Sequence, residues 1–312
     1  MDYLREIEGS YPARRSAGEK EAFRKWLEAR CAELGYSLSK EENGRLQSVQ
    51  LLAGDPEHAA VLFTCHYDTP ARRLLPDLSF GQNGAAFVLW TLLEVLLMLI
   101  PAFLGYMLFY ALTGSARTGL WAFVLVYLAE LFWTRIGLAR RKNPQQDTAL
   151  AAMLRLMALT PEACRSQVAF LFLDGGEQGW HGAKAWCKAH PQTAYTRLTV
   201  EIGSLGLGKR LLCVESKLAR KCTGYGSLCR ALAENGVAEA LSVPNTWSFL
   251  RGEDRAFKCG IGLYTARRLP ILGDVACSSW TLPDSERAAQ AEAVAASLAD
   301  AIMRMTGAAT ER

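Results

Sequence analysis

The chain has 312 residues, of which 50% are hydrophobic and 21% are charged, and its formal net charge is +4. This hydrophobic content exceeds what an ordinary soluble domain needs, so part of it requires a separate explanation. The small net charge gives no case for nucleic acid as a partner. The nine cysteines lack the spacing of a disulfide scaffold, which suits a reducing compartment.

The first 83 residues predict one helix and two strands. Their first fifteen residues lack the apolar core of a secretory signal peptide. Apolar residues at helical spacing predict an amphipathic helix over residues 16–36, capped by Ser16. The alternating segment 46–51 predicts an outer strand, and the apolar run 59–65 predicts a buried central strand.

Two long apolar stretches follow, at residues 85–112 and 120–139. The first has Glu94 as its only charge and exceeds the roughly 20 residues that a membrane-spanning helix needs. The second carries Glu130 and Arg135 and is weaker alone, but the short link between them favours an antiparallel pair. We therefore expect a transmembrane helical hairpin at 84–139, inserted into one domain formed by 1–83 and 140–312. A buried helical pair within a large core is the alternative.

Flanking charge predicts how such a hairpin is oriented. Arg72 and Arg73 precede it and the basic run 140–142 follows it, whereas its connecting loop carries only Arg117. Because basic flanks tend to stay in the cytoplasm, both ends are expected there. The sequence thus predicts an integral membrane protein with two transmembrane helices and a cytoplasmic domain, with the lipid bilayer as a partner. Its oligomeric state stays open.

Beyond the hairpin, helices and strands alternate. Strands are expected at Val168–Leu173, Leu198–Ile202 and 261–266, and helices at 148–159, 182–189, 217–235 and Asp284–Met305. This alternation predicts an α/β fold with a mostly parallel central sheet sandwiched by helices.

Polar side chains follow the predicted strands, where ligands gather in open α/β sheets. His66 and Asp68 come directly after the buried central strand, so the imidazole could bind a metal while the carboxylate fixes its orientation. Asp147 opens a helix, and Glu177 and Glu201 follow two later strands. One histidine with several carboxylates is typical of a zinc or hard-metal site.

Each of these residues also has a purely structural interpretation. Asp147 could be a helix cap, His66 a satisfied histidine, and Glu177 and Glu201 solvated carboxylates. Their combined order along the chain favours the metal site.

Five segments carry a resemblance to a known family. They are CHYDT at 65–69, QQDTALAAMLRL at 145–156, FLFLDGGEQGWHGAKAW at 170–186, VEIGSLG at 200–206 and CGIGLYTARRLP at 259–270. Together they resemble the M28 zinc aminopeptidases and their glutaminyl-cyclase relatives, over most of the chain outside the hairpin. The resemblance implies a zinc-aminopeptidase-like fold, peptide substrates and one or two zinc ions.

The resemblance also implies roles for single residues. His66, Asp147 and an acidic residue, for which Glu201 is the nearest candidate, would hold one zinc. Asp147, Glu177 and a late histidine would hold a second, and Asp68 would orient His66. A carboxylate beside the metal would act as general base when water attacks the N-terminal peptide bond.

The chain departs from the family pattern at two positions. Gly176 stands where the family has its glutamate base, and Trp280 stands where the second zinc's histidine belongs, so Trp280 is expected in the pocket wall. Asp174 and His181 are the possible substitutes for the lost base and ligand. These departures leave two main hypotheses: a divergent aminopeptidase-type hydrolase, or an inactive pseudopeptidase that binds a peptide or protein. A scaffold that oligomerises through the hairpin is a weaker third.

Overall fold

The computed structural model describes residues 2–43, 48–70, 78–135, 143–235, 241–244, 252–277 and 280–307. The last residues of the expected hairpin, from 136 onwards, lie outside these ranges. So do the basic residues expected to flank it, Arg72, Arg73 and 140–142.

The helices and strands are numbered in chain order. The helices are α1 (Tyr3–Ser10), α2 (Ala17–Glu33), α3 (Gly84–Thr113), α4 (Ala116–Arg135), α5 (Pro144–Leu159), α6 (His181–Ala189), α7 (Pro191–Thr196), α8 (Tyr225–Glu234) and α9 (Asp284–Met305). The strands are β1 (Leu38–Asn43), β2 (Ser48–Ala53), β3 (Val61–His66), β4 (Leu78–Phe80), β5 (Val168–Leu173), β6 (Leu198–Ile202), β7 (Arg210–Glu215), β8 (Leu241–Pro244), β9 (Gly260–Leu269) and β10 (Gly273–Cys277).

The described strands form one mixed sheet in the order β1-β2-β5-β3-β6-β9-β10-β4, with β7 and β8 branching from β9. Its centre, β5-β3-β6-β9, is parallel, and so is the pair β7-β8. Strands β1, β2, β4 and β10 pair antiparallel, as β7 does with β9. The expectation of a mostly parallel sheet therefore holds for the centre but not for the sheet as a whole. The pairs β1-β2 and β9-β10 are antiparallel because short connections join them, whereas β2-β5, β7-β9 and β4-β10 pair strands from distant parts of the sequence.

Helices cover both faces of this centre. On one face Phe63 and Phe170 pack with residues of α2, α5 and α9. On the other face Leu62 and Leu171 pack with Trp186 of α6. Because side chains alternate along a strand, β3 and β5 are hydrophobic on both faces, as buried parallel strands require.

Two predicted helices show how local chemistry sets helix ends. At α2, Ser16 accepts from the Glu19 N–H while the Glu19 side chain accepts from the Ser16 N–H, so the expected cap is confirmed as a capping box. The helix expected over 217–235 is wrong in its first part. A turn of 3-10 helix occupies Ala219–Lys221, and α8 begins only after Gly224, whose φ is +93°.

Helices α3 and α4 form an antiparallel pair that stands apart from the two cores. Small residues let the helices approach closely: Ala102 and Ala122 are buried, and a Cβ at Gly105 would lie 3.1 Å from Val126 Cγ2. The rest of α3 exposes large hydrophobic side chains from Val88 to Leu112. By length and composition, α3 alone among the described helices could cross a membrane, with mean hydropathy 2.3 and 6% of the span buried.

Candidate metal centre

His66, Glu201 and Glu253 meet at the carboxyl edge of the central strands. Each offers a ligand atom, and these atoms lie within 4.8 Å of one another. His66 ends β3 and Glu201 lies on the neighbouring parallel strand β6, opposite Thr64. Glu253 is brought to them by the short 3-10 helix Glu253–Ala256, just before β9. We call these three residues the metal cluster.

The metal cluster is buried and short of hydrogen bonds. The His66 side chain is 14% exposed, and Glu201 and Glu253 are each 1% exposed. Neither ring nitrogen of His66 and neither carboxylate oxygen of Glu253 has a hydrogen-bond partner among the described residues. Polar atoms buried in this way are costly unless something binds them.

A zinc ion fits these atoms in donor type and in spacing. One imidazole and two carboxylates form a common zinc ligand set, with bonds of about 2.0–2.2 Å. An ion at the centre of the three atoms would require each ligand to move by at most about 0.7 Å.

The electrostatics of the cluster also call for a cation. Burial by itself lowers the pKa of His66, but Glu177, Glu253 and Asp68 outweigh it and raise this pKa to about 10. Burial raises the pKa of Glu253 well above its usual value; His66 opposes this, and Glu201 adds to it. Several carboxylates therefore crowd around a single imidazole.

Tyr264 of β9 supports Glu201 from behind. Its hydroxyl lies 2.7 Å from both Glu201 Oε2 and Asp254 Oδ1, and the Asp254 N–H donates to the same Glu201 oxygen at 2.7 Å. A hydroxyl donates only one proton, so one of the two carboxyls must donate to it in return. Burial, followed by the charge of Glu201, raises the pKa of Asp254 well above its usual value.

Glycines make room for this tyrosine. A Cβ on any of three glycines would overlap the Tyr264 side chain; they are Gly203, Gly252 and Gly262. The close approach of backbone to ring therefore requires glycine at these positions.

The turn after β5 places Glu177 at the open side of the cluster. Glu177 Oε1 lies 3.5 Å from His66 Nε2 and accepts a hydrogen bond from Asn143 at 3.0 Å. The buried Asp68 accepts from the N–H groups of Gly176 and Glu177 at 3.0 and 3.2 Å. Asp68 thus holds this turn, and its expected hydrogen bond to His66 is not among the described ones.

Gly176 lies directly under the His66 ring. A Cβ at this position would lie 2.6 Å from His66 Cγ and 2.8 Å from Cδ2. A glutamate here would require the ring to move.

Asp147 faces a buried arginine. Arg14 Nη2 donates to Asp147 Oδ1 at 2.5 Å, and the side chains are 0% and 1% exposed. Arg14 also donates to the carbonyls of Tyr67 and Tyr11. Burial raises the pKa of Asp147 to about 6, with Arg14 opposing the shift. Among the described residues Asp147 is not in the metal cluster, so its role as a ligand stays a prediction.

The remaining predicted residues lie at different places. Asp174 is buried and pairs with Lys20, and it also accepts from the Gly175 N–H at 2.7 Å. His181 opens α6 with an exposed side chain. Trp280 packs against an apolar cluster at the base of α3, which includes Phe80. Substitute roles for Asp174 and His181, and a pocket role for Trp280, stay predictions.

The site residues predicted from the sequence do not include Glu253, Tyr264 or Arg14. The predicted site residues directly follow strands or open a helix, whereas Glu253 precedes its strand and Tyr264 lies inside one. The acidic pair Glu253-Asp254 ahead of an apolar strand was an available signal. Nothing in the sequence around Arg14 pointed to Asp147, which is 133 positions away.

The sequence matches no protein-family model and no curated protein. Solved structures do resemble it. A Zn-dependent exopeptidase from Parabacteroides distasonis superposes with a TM-score of 0.54 at 12% identity, covering 96% of each chain. A glutaminyl cyclase from Fimbriiglobus ruber gives 0.55 at 12% identity, covering 96% of this chain and 92% of the other.

A glutaminyl cyclase from Porphyromonas gingivalis gives a TM-score of 0.54 at 9% identity, covering 98% of this chain and 96% of the other. Identities this low bear on the fold alone. The chain has the α/β fold found in these zinc-dependent exopeptidases and glutaminyl cyclases.

Proposed function

We propose that this chain is a zinc-dependent hydrolase of the aminopeptidase type, held at a membrane by the α3–α4 pair. The observation that carries the proposal is the buried metal cluster, whose ligand atoms lie within 4.8 Å of one another and largely lack other partners. The fold likeness to zinc-dependent exopeptidases supports zinc as the metal and a peptide as the substrate.

In this proposal His66, Glu201 and Glu253 hold one zinc ion. A bound zinc would polarise the scissile carbonyl and lower the pKa of water. Glu177 is the carboxylate at the open side, 3.5 Å from His66, and it takes the proton of the attacking water in place of the base missing at Gly176. Asp68 positions Glu177 by accepting hydrogen bonds from the backbone N–H groups of Gly176 and Glu177.

One ion rather than two is proposed because Arg14 already compensates the charge of Asp147. The surplus of carboxylates around the cluster would attract the free α-amino group of a peptide, which is a cation. A peptide N-terminus is therefore the proposed substrate group.

The second candidate is a pseudopeptidase that binds a peptide or a partner protein without cleaving it. The packing of Gly176 against His66 favours it, because that packing leaves no room for an acidic side chain at the family's base position. Loss of a general base typically lowers a rate by roughly 10²- to 10⁴-fold.

The arrangement of the hairpin and the domain relative to the membrane is part of the same proposal. The exposed apolar surface of α3 and its close packing with α4 support a hairpin in which both helices enter the bilayer. The basic residues on both sides of the hairpin support a cytoplasmic domain.

The test is metal content by elemental analysis of the full chain purified in detergent. The wild type is expected to hold one zinc per chain, and His66→Ala and Glu253→Gln are expected to lose it. Glu215→Gln is the matched control, since Glu215 is a buried glutamate that pairs with Arg220 and Tyr225 outside the cluster. A wild type without metal, or variants that keep it, would contradict the proposed site.

Activity then separates the two candidates. Zinc-loaded wild type is assayed with a series of aminoacyl anilides, and Glu177→Gln is assayed beside it. Turnover that falls about 10²-fold or more in Glu177→Gln, at unchanged zinc content, supports the hydrolase. Bound zinc without turnover supports the pseudopeptidase.

A further inference from the structure

The turn between β9 and β10 lies beside the start of α3. Strand β10 pairs with β4, and the chain continues from β4 through Asn83 into α3. The Asn83 side chain donates to the carbonyl of Ile271, at the tip of this turn, at 3.3 Å. Residues 267–272 are here called the tip segment. Ile271 at its tip thus lies beside the first turn of α3, while Arg267 and Arg268 are level with Phe80 and Gly81.

The tip segment presents an apolar side chain next to two cations. Ile271 is 89% exposed, the highest value for a large hydrophobic side chain among the described residues. Arg267 and Arg268 are exposed on the strand leading to it. The Arg267 guanidinium lies 5.7 Å from the centre of the Trp280 ring.

A single exposed isoleucine is common on protein surfaces and does not by itself indicate a binding site. The position of Ile271 beside α3 is what points to a membrane contact. The exposed apolar surface of α3 begins at Val88, five residues after Asn83, which is about 7 Å along the helix axis. The headgroup layer of a leaflet is roughly 5–7 Å thick. With α3 across a bilayer, the tip segment would lie in that layer.

The chemistry of the tip segment matches that layer. Guanidinium groups bind phosphate oxygens through two hydrogen bonds, and tryptophan favours the membrane interface. Trp90 of α3 and Trp280 both pack in the apolar cluster that joins the tip segment to α3.

We propose that the tip segment is a second membrane contact, in which Ile271 inserts among anionic phospholipid headgroups and Arg267 and Arg268 bind their phosphates. This rests on the proposed anchoring through α3. The contact would fix the orientation of the domain, because a hairpin alone allows the domain to tilt.

The first experiment uses photo-crosslinking in the full chain, reconstituted into nanodiscs of equimolar phosphatidylcholine and phosphatidylserine. p-Benzoylphenylalanine replaces Ile271, Leu96 or Glu57 in separate variants, and mass spectrometry identifies the adducts. Leu96 lies in the middle of α3, and Glu57 is exposed on the turn before β3, at the opposite edge of the sheet. Lipid adducts are expected from positions 96 and 271 but not from 57.

Each other result would overturn the inference in a distinguishable way. Adducts at 96 without adducts at 271 would leave the anchoring intact and remove the second contact. An absence of lipid adducts at both positions would remove the anchoring as well. Adducts of position 271 to protein would assign the tip segment to a second copy of the chain or to a partner.

The second experiment tests the charges. At position 271, phosphatidylserine adducts are expected to exceed phosphatidylcholine adducts. Arg268→Gln is expected to reduce this preference roughly five-fold, with a similar further loss when Arg267→Gln is added. Lys25→Gln, on α2 and distant in sequence from the tip segment, is the charge-matched control and is expected to leave the lipid preference unchanged. A preference unaffected by both arginine changes would contradict the proposed phosphate contacts.

Discussion

The metal cluster and the α3–α4 pair differ from ordinary globular structure in opposite ways: one buries charged side chains and the other exposes apolar ones. The cluster buries His66, Glu201 and Glu253 where globular proteins usually bury hydrophobic side chains. The helical pair exposes leucine, phenylalanine and valine side chains along most of α3, where such proteins usually expose charge. Both arrangements are costly in water alone.

Under the proposed function, each region is completed by something outside the chain. The buried carboxylates bind a cation, and the exposed helices lie in an apolar solvent. The average composition shows the apolar excess but not its location, and it gives no sign of the buried carboxylates. Variants that remove one proposed partner at a time test this contrast.

The largest effect is expected at α3. Leu96→Lys with Leu104→Lys places two charges on exposed apolar positions of the helix and should cost about 3 kcal/mol each within a bilayer. Membrane flotation after carbonate extraction measures the result: the wild type floats with the lipid, and the lysine variant does not. Leu96→Ile with Leu104→Ile is the control and should float. Wild type that leaves the lipid would show that α3 is not embedded.

The next effect is expected at the ion pair of Arg14 and Asp147. Arg14→Met should cost about 3–5 kcal/mol in the free energy of unfolding, because it leaves a buried carboxylate without its cation. Denaturant unfolding in detergent measures it. Adding Asp147→Leu should recover more than about 1 kcal/mol of the loss, since the two residues are coupled.

Lys25→Met is the control for this pair. Lys25 lies 3.8 Å from Glu21 on the exposed side of α2, so its loss should leave stability nearly unchanged. Equal effects of Arg14→Met and Lys25→Met would refute a special role for the buried pair.

A smaller effect is expected at Gly176. Gly176→Ala forces a methyl group against the His66 ring and should cost about 1–3 kcal/mol in unfolding free energy while weakening zinc binding. Gly226→Ala is the matched control, because a Cβ there, in α8, meets no atom within 4 Å. It should be neutral or slightly stabilising. If the two variants unfold alike, the packing of His66 on this turn does not constrain the site.

The smallest effect is expected behind the cluster. Tyr264→Phe removes the hydroxyl that orients Glu201 and should weaken zinc affinity roughly 10- to 100-fold. Competition with a chromogenic chelator measures the affinity. Tyr225→Phe removes a similar tyrosine–glutamate contact, with Glu215, and should leave zinc affinity unchanged. A loss of affinity in both variants would indicate a general structural effect instead.

Much of the fold could be predicted because its signals are local. The strands Val168–Leu173 and Leu198–Ile202 and the helix Asp284–Met305 were predicted at their observed bounds. The first is a continuous apolar run, and the helix is rich in alanine. Strands β1 and β10 were missed, because their half-polar sequences depend on a neighbouring strand for pairing.

The residues of the site also divide into those that could be predicted from local signals and those that could not. His66 and Glu201 could be predicted because parallel strands end at the same edge of a sheet, and the structure brings them together. Glu253 completes the cluster only through the path of a loop, and the partner of Asp147 comes from a segment near the N-terminus. No periodicity encodes contacts between such distant segments.

Arg14 joins three parts of the chain through its hydrogen bonds to Tyr11, Tyr67 and Asp147. The residues on either side of it look like an ordinary terminal segment, of the kind that proteases remove without harm. Here a cut between Arg14 and α2 would leave the guanidinium joined only to the α1 segment. Loss of that segment would leave the carboxyl of Asp147 without its cation, 133 positions away and next to the strand that ends in His66. Limited proteolysis near Arg14 would thus destabilise the middle of the domain.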